Sequence, residues 1–329
     1  MRRLRVLVPV VLLAGLGVSA AALATFGQHS PAPTSVPAPP DAPRPPPATA
    51  EVPISGWPSP ANTGWQHTGV TLTAYTGPLT ITTANTVISG KDIRGCLFIK
   101  ANNVTILNSR VTCAGSSPQD GGTMIVQQSD AYTPGVTGLT MTDVEITRPA
   151  GSNGGADYGL LLYGKSVNLT RINIHNVTSG IHFSGDGVTL RDSYIGDMVN
   201  ISGSDHNDAV IANGGAPHVT LVHNTLEVPG DQTTPIAMYP EGSPNSYWTI
   251  DDNLLNGGGY CIYPSYSKGQ EQPNNHITIT NNVFGSTFFT GCGAYGPVNS
   301  GPNGARFLDG QGNTWSGNTW ANTGLSVAR

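Results

Sequence analysis

Apolar residues recur along this chain in a short frame, apolar-x-apolar-x-x-small/Asn-x-apolar. The frame begins at Val104, with Ile106, Ser109 and Val111, and returns from Leu139, Val167, Val188, Val219, Trp248 and Ile277. Successive starts lie 35, 28, 21, 31, 29 and 29 residues apart. Alternation with a period of two is the mark of a strand. A strand that returns every roughly 20 to 40 residues is the mark of a solenoid, in which no unit buries its apolar face alone and each stacks on the next. In the later units the sixth position is Asn224, Asn253 and Asn282, and Asn318 fits a degenerate further row. Asparagine at one stacked site can form a ladder of side-chain amides, each bonding the coil above and below. The pattern therefore predicts an all-β, single-stranded parallel β-helix of about eight coils.

A second short apolar run follows each frame, at 160–163, 181–184, 209–212, 236–239 and 261–263. Strict alternation sends 160/162, 181/183, 209/211 and 236/238 inward and 161/163, 182/184, 210/212 and 237/239 outward. Asp157, Gly159, Thr178, Gly180, His206, Asp208, Thr233 and Pro235 continue the outward rows, and Tyr263 falls inward. Parallel coils stack about 4.8 Å apart. His182, His206, Asp208 and Tyr239 are thus expected within a few coils of one another, on one outer face the width of a sugar-binding groove.

The ends of the chain carry other signals. Arg2, Arg3 and Arg5 precede an apolar stretch, and Ala22-Leu23-Ala24 resembles a cleavage site, so residues 1–26 read as a signal peptide or an N-terminal anchor. Residues 27–52 are Pro-rich and read as a stiff spacer. Residues 53–329 form one predicted solenoid domain, rich in Gly, Asn and Thr. Without the three leading arginines, 12 Lys and Arg face 20 Asp and Glu, a charge of about −8. Such a chain has no nucleic-acid footprint, and its membrane contact reduces to the case of an uncleaved anchor. Export to an oxidising exterior favours disulfides. Cys96 and Cys113 flank the first full coil, and Cys261 and Cys292 lie on equivalent late turns, so the pairs 96–113 and 261–292 are expected, stapling the ends where coils lack a neighbour.

Several stretches resemble secreted bacterial right-handed parallel β-helix repeat proteins of the pectate-lyase-like superfamily. They are Gly56-Trp57-Pro58 to Asn62-Thr63-Gly64, Leu72-Thr-Ala-Tyr75-Thr-Gly77, Asn173-Ile-His175 with Gly180-Ile181, Asp205-His206-Asn207-Asp208, and Cys292-Gly-Ala-Tyr-Gly-Pro297. The resemblance spans about residues 54–322. It implies a right-handed coil, secretion with a possible cell-surface tether, and a polysaccharide partner. In that group Gly-Ile usually follows the His-Asn-Asp stretch; here Ala209-Val210 does. The Trp-Ile-Asp-His and Arg-x-Pro-x-x-Arg marks of calcium pectate lyases are absent, as are the Gly-His-Gly and Arg-Ile-Lys marks of polygalacturonases. Fold alone does not decide the reaction.

Asp205-His206-Asn207-Asp208 is the densest polar constellation in the chain. A neutral histidine beside carboxylates can take a proton α to a carbonyl, as uronan lyases and epimerases require. His206 is the expected base, Asp208 and Asp205 its orienting groups or ligands of a Ca²⁺ ion, and His182 a proton donor or sugar contact. Tyr239, Tyr163, His175 and Lys268 are expected substrate contacts; Tyr263 and Tyr266 are further rings, the first of them better suited to the core. A plain turn whose Asp and Asn satisfy backbone groups is the competing account of residues 205–208. Asp157, Asp186, Asp205, Asp208 and Glu241 could instead supply the carboxylate pair of a glycoside hydrolase. The function expected is thus a polysaccharide lyase or epimerase working as a monomer. A non-catalytic carbohydrate-binding surface protein and a hydrolase stand as the alternatives.

Overall fold

The computed structural model describes residues 56–115, 124–129, 135–152, 157–201, 205–265, 272–299 and 311–328. The export segment 1–26, the linker 27–52, and Lys268 and Tyr266 lie outside the described residues. Strands pair in parallel throughout two long sheets, one of 17 strands and one of nine, as a parallel β-helix requires. The nine-stranded sheet runs Thr80–Ile81, Leu97–Ile99, Met124–Gln128, Tyr158–Leu162, Ser179–Phe183, Asn207–Ala212, Thr233–Met238, Tyr260–Tyr263 and Gly296–Val298. Its first two strands precede the recurring frame, so the stack begins earlier than the pattern alone marks. Among the described residues no helix is long and apolar enough to cross a membrane.

Each recurring frame is a strand broken by one left-handed residue. The doubled x-x carries φ of +57° at Asp143, +52° at Asp192, +53° at His223, +52° at Asp252 and +56° at Asn281. Asp and Asn enter this conformation at least cost among residues with a Cβ. The corner turns the strand so that the apolar residues before and after it face one interior. Val219, Leu221 and Leu226 of one rung, with Trp248, Ile250 and Leu255 of the next, are all fully buried in the same core. A second left-handed column lies just before each frame, at Asn103, Ser166, His218, Tyr247 and His276. Three of these rings stack along the axis, with centroids 5.1 Å apart for His218–Tyr247 and 4.6 Å for Tyr247–His276.

The asparagine ladder forms as the frame predicts. Asn224 Nδ2 donates to Asn253 Oδ1 at 2.9 Å, Asn253 Nδ2 to Asn282 Oδ1 at 2.9 Å, and Asn282 Nδ2 to Asn318 Oδ1 at 3.0 Å. The same oxygens also accept the backbone N–H of the preceding rung, at 3.0 Å for Asn224, 2.9 Å for Asn253 and 3.0 Å for Asn282. These groups are buried, so each bond spares a polar atom the cost of desolvation without a partner. Asn245 and Asn274 build a second ladder in the same manner, which the frame does not reveal. Both expected disulfides form, Cys96–Cys113 and Cys261–Cys292, and fit an oxidising location.

Residues 56–75 form a strap against the flank of the 17-stranded sheet. Trp57 stacks on His223 at 5.3 Å, and His223 Nε2 lies 3.1 Å from the Gly56 carbonyl. The Gly64 N–H donates to the Arg171 carbonyl at 2.9 Å. A 3₁₀ turn, Gln66–Thr68, then sits over two carboxylates of the strand Thr140–Thr147. Glu145 accepts from Trp65 Nε1 at 2.7 Å and Gln66 Nε2 at 2.9 Å, and lies 2.9 Å from His175 Nε2. Asp143 accepts from Arg171 at 2.6 and 2.9 Å and lies 2.8 Å from His67 Nε2. Burial pushes both carboxyls up, but the contacts with His175 and Trp65 for Glu145, and with Arg171 and His67 for Asp143, outweigh it and hold both below the usual range.

Two measurements test this account. Asn253→Leu takes the shared Oδ1 acceptor from the Asn224 N–H and Nδ2 and the amide donor from the Leu221 carbonyl and Asn282 Oδ1, and is expected to cost about 3 kcal/mol or more in urea unfolding. A loss within the surface range of about 0.5 kcal/mol would refute the ladder's role. A carboxyl with a depressed folded pKa stabilises above its unfolded value and loses that stabilisation as pH falls through the folded one. Strap docking is therefore expected to hold at neutral pH and to fail below about pH 4, as rising protease cleavage within residues 56–75. In Glu145→Gln that pH dependence should flatten; unchanged protection at about pH 3 in the parent chain would overturn the latch.

Candidate functional site

The outer face of the nine-stranded sheet does not follow simple alternation. In register, Leu160 pairs with Ile181, Ile181 with Val210, and Val210 with Ile236, and all four lie in the core. The residue just before each of the first three also points inward: a Cβ on Gly159 would meet Ile174 and Ile146, a Cβ on Gly180 would meet Ile195, and Ala209 belongs to the core. Two successive inward residues leave two outer rows. One holds Tyr158, Ser179, Asp208 and Thr234; the other holds Leu161, His182, Ile211, Ala237 and Tyr263.

This corrects several sequence expectations. Gly159 and Gly180 face in. Val210 and Ala212 face in and Ile211 faces out, because Val210, not Ala209 or Ile211, aligns with Ile181. A shift of one residue exchanges the two faces of a strand. Tyr263 lies in the outer row beside His182 rather than in the core. Asp208 belongs to the outer side but is only 2 % exposed, not open in a groove.

Three titratable groups on successive rungs meet here. The rings of Tyr158 and His182 lie 5.0 Å apart, tilted by 40°. Burial lowers His182 to about 4. Burial, then the carboxyls of Asp208 and Asp157, push the Tyr158 phenol well above its usual value. Burial raises Asp208 far above the carboxylate range, and its Oδ1 has no hydrogen-bond partner. The Asp208 N–H donates to Ser179 Oγ at 3.3 Å, and Ser179 Oγ donates to the His206 carbonyl at 3.2 Å. Strong shifts clustered on one face are a mark of chemistry.

The other expected residues fall around or away from this cluster. His206 is exposed, with Nδ1 3.0 Å from Thr233 Oγ1; no carboxylate contacts its ring among the described residues. Asp205 caps a turn by accepting the Ile201 N–H, the plain role weighed for it. Tyr163 lies close enough to Tyr158 to act on its phenol. His175, one of the expected substrate contacts, lies away from His182 and His206: it stands on the 17-stranded sheet, bound to Glu145 in the strap latch. Asp186 pairs with His218 at 2.9 Å. Among the described residues no group of three or more His, Cys, Asp or Glu is arranged to hold a metal ion.

Tyr239 belongs to a ring cluster that the sequence reading saw only in part. Tyr239–Tyr263, Tyr260–Tyr263 and Tyr260–Tyr295 centroids lie 6.0, 5.4 and 5.8 Å apart, and Tyr295 is 57 % exposed. Tyr158 and Glu145 also escaped notice. The apolar Tyr158-Gly-Leu run looks like core, and the partners of Glu145 stand 79 and 80 residues away in the strap. A cavity of about 590 Å³, lined by Trp65, Asp92, Arg94 and Arg110, opens beside the strap rather than beside Tyr158. Its two guanidiniums are paired with Asp92 at 2.9 and 3.0 Å.

No protein-family model and no curated protein matches this sequence. Among solved structures the chain is similar to the Dettilon tailspike protein (gp208), at 16 % identity and a TM-score of 0.29, over 67 % of this chain and 54 % of that one. The chain thus spans about half the length of that tailspike.

Proposed function

We propose that this β-helix acts on a polysaccharide at the outer face of its nine-stranded sheet, by taking a proton from the sugar carbon next to a carboxylate. The observation that carries this reading is the convergence of Tyr158, His182 and Asp208, each shifted in the direction that keeps it uncharged at neutral pH. Neutral His182 has a free lone pair and serves as the base. Tyr158 keeps its proton and serves as the acid. Protonated Asp208, with an unpartnered oxygen, donates a hydrogen bond to the substrate carboxylate and so eases loss of the neighbouring proton. The C–H bond breaks toward His182, the electron pair forms a C=C bond, and the glycosidic oxygen leaves with the Tyr158 proton. If the proton instead returns on the opposite face, the outcome is epimerisation.

The tyrosine cluster supports a sugar ligand. Tyr263 lies in the His182 row three rungs on, roughly 14 Å along the axis. Aromatic faces suit the C–H patches of pyranose rings. The resemblance of residues 54–322 to pectate-lyase-like β-helices points to the same ligand class. A surface that only binds would use the same tyrosines without Tyr158 and His182.

A panel of polysaccharides, read for unsaturated product by absorbance and for reducing ends, tests the reading. His182→Ala and Tyr158→Phe are each expected to lose about 100-fold or more in kcat with binding retained. Asp208→Asn keeps a neutral donor and should stay within about tenfold of the parent, whereas Asp208→Ala should not. With a base this acidic, kcat/KM should hold level as pH falls until near 4, where His182 protonates. Reducing ends without unsaturated product, or loss of all activity in Asp208→Asn, would assign the site to carboxylate hydrolysis. Affinity lost in Tyr260→Ala with no product from any polymer would leave binding alone.

A further inference from the structure

Arg148 is a buried cation without a counter-charge. It is 6 % exposed, and among the described residues no ion pair engages it. Nη2 donates to the Ser152 carbonyl at 2.9 Å, while Nε and Nη1 are buried with no partner. Buried guanidinium groups are ordinarily paired, because an unpaired one costs several kcal/mol of desolvation with nothing to offset it. Buried donors without acceptors are rare enough to call for a cause.

Its place in the fold supplies one. Arg148 directly follows the strand Thr140–Thr147 and begins the connection that enters Tyr158–Leu162 at Tyr158. Its carbonyl accepts from Thr147 Oγ1 at 3.2 Å and from Asn176 Nδ2 at 3.3 Å, which fixes its backbone to the neighbouring connection leading to Ser179. Arg148 thus begins a turn that lies beside the one leading to Ser179. Whichever hydrogen of Nη2 serves Ser152, one edge of the planar fork stays open to an anion with two oxygens.

We propose that Arg148 is the receptor for the carboxylate of an acidic sugar. The inference rests on the proton-abstraction reading, which needs a uronate at the reacting position. An incoming carboxylate parts the exposed Pro149–Ser152 turn, which the Nη2 bond holds to the arginine. The unpaired charge is then a standing cost of the free protein that the ligand removes.

The test uses the full chain with glucuronate and galacturonate oligomers, neutral gluco-oligomers, inorganic phosphate and sulfate, each read by calorimetry and by melting midpoint. The uronate oligomers are expected to bind and raise the midpoint, and Arg148→Met to lose at least tenfold in that affinity while melting higher than the parent without ligand. Arg148→Lys keeps the charge but not the fork, and should fall between them. In turnover, Arg148→Lys should raise KM more than it lowers kcat. Equal uronate affinity in parent and Arg148→Met overturns the assignment, as does a response to phosphate or sulfate without one to uronates. Lower melting of Arg148→Met with Arg148→Lys unaltered in binding marks a structural role and also overturns it. Uronate binding that depends on Arg148 with no product from any polymer keeps the receptor and refutes the reaction. His182-dependent turnover that ignores Arg148 does the reverse.

Discussion

The molecule depends on one backbone constraint: every rung must turn at the same two places. Left-handed residues stand in columns at those corners, with φ between about 50° and 60° at Asn103, Asp143, Asp192, Tyr247 and Asn281. When corners align, strands align, and the asparagines that follow one column reach their counterparts in the next rung. The ladder in turn makes a slipped register costly, because a shift of one residue would bury amides without partners. Packing, ladders and outer rows are all consequences of this alignment.

The candidate site arises where the outer surface departs from the regular pattern. Gly180–Ile181 and Ala209–Val210 both turn into the core, so the next polar residues stand on one side as Tyr158, Ser179 and Asp208, with His182 close by. Burial without a counter-charge then does the electrostatic work. At neutral pH His182 is without its proton and Asp208 and Tyr158 keep theirs, because burial takes each charged form from water and, for Tyr158, the neighbouring carboxyls add to it. The opposite flank shows the contrasting case. Asp143 and Glu145 are also largely withdrawn from water, yet arginine, histidine and indole donors keep them ionised, and they hold the strap.

How much could be read from the sequence follows from the range of each interaction. The asparagine ladder and the disulfides were legible because stacking repeats them at matching points of successive units. His182 was legible because its strand alternates cleanly beyond Ile181. The burial of Asp208 was not, since two adjacent inward residues carry no period to detect, and Ala209 and Val210 fit either face equally well. The strap latch was hidden by distance along the chain: Trp65 and Glu145 share no local pattern. Arg148 belongs to no pattern in the sequence, and only the missing partners of its nitrogens set it apart.

The strap also changes how the solenoid holds together. Stacked rungs touch only their neighbours, so a stack of this kind can fray from an end one unit at a time. A segment bonded to His223, Arg171 and Glu145 in turn ties the His223 rung to two rungs with which it does not pair. Opening one of them strains the tie to the others, which turns a sum of local stabilities into one shared transition. The strap's first contact also joins residues 167 apart, so it closes only after the rung of Val219–Val222 has formed. Synthesised ahead of the rungs, it docks only once that rung is in place, while the rungs from Thr249–Asp251 onward give it no contact among the described residues.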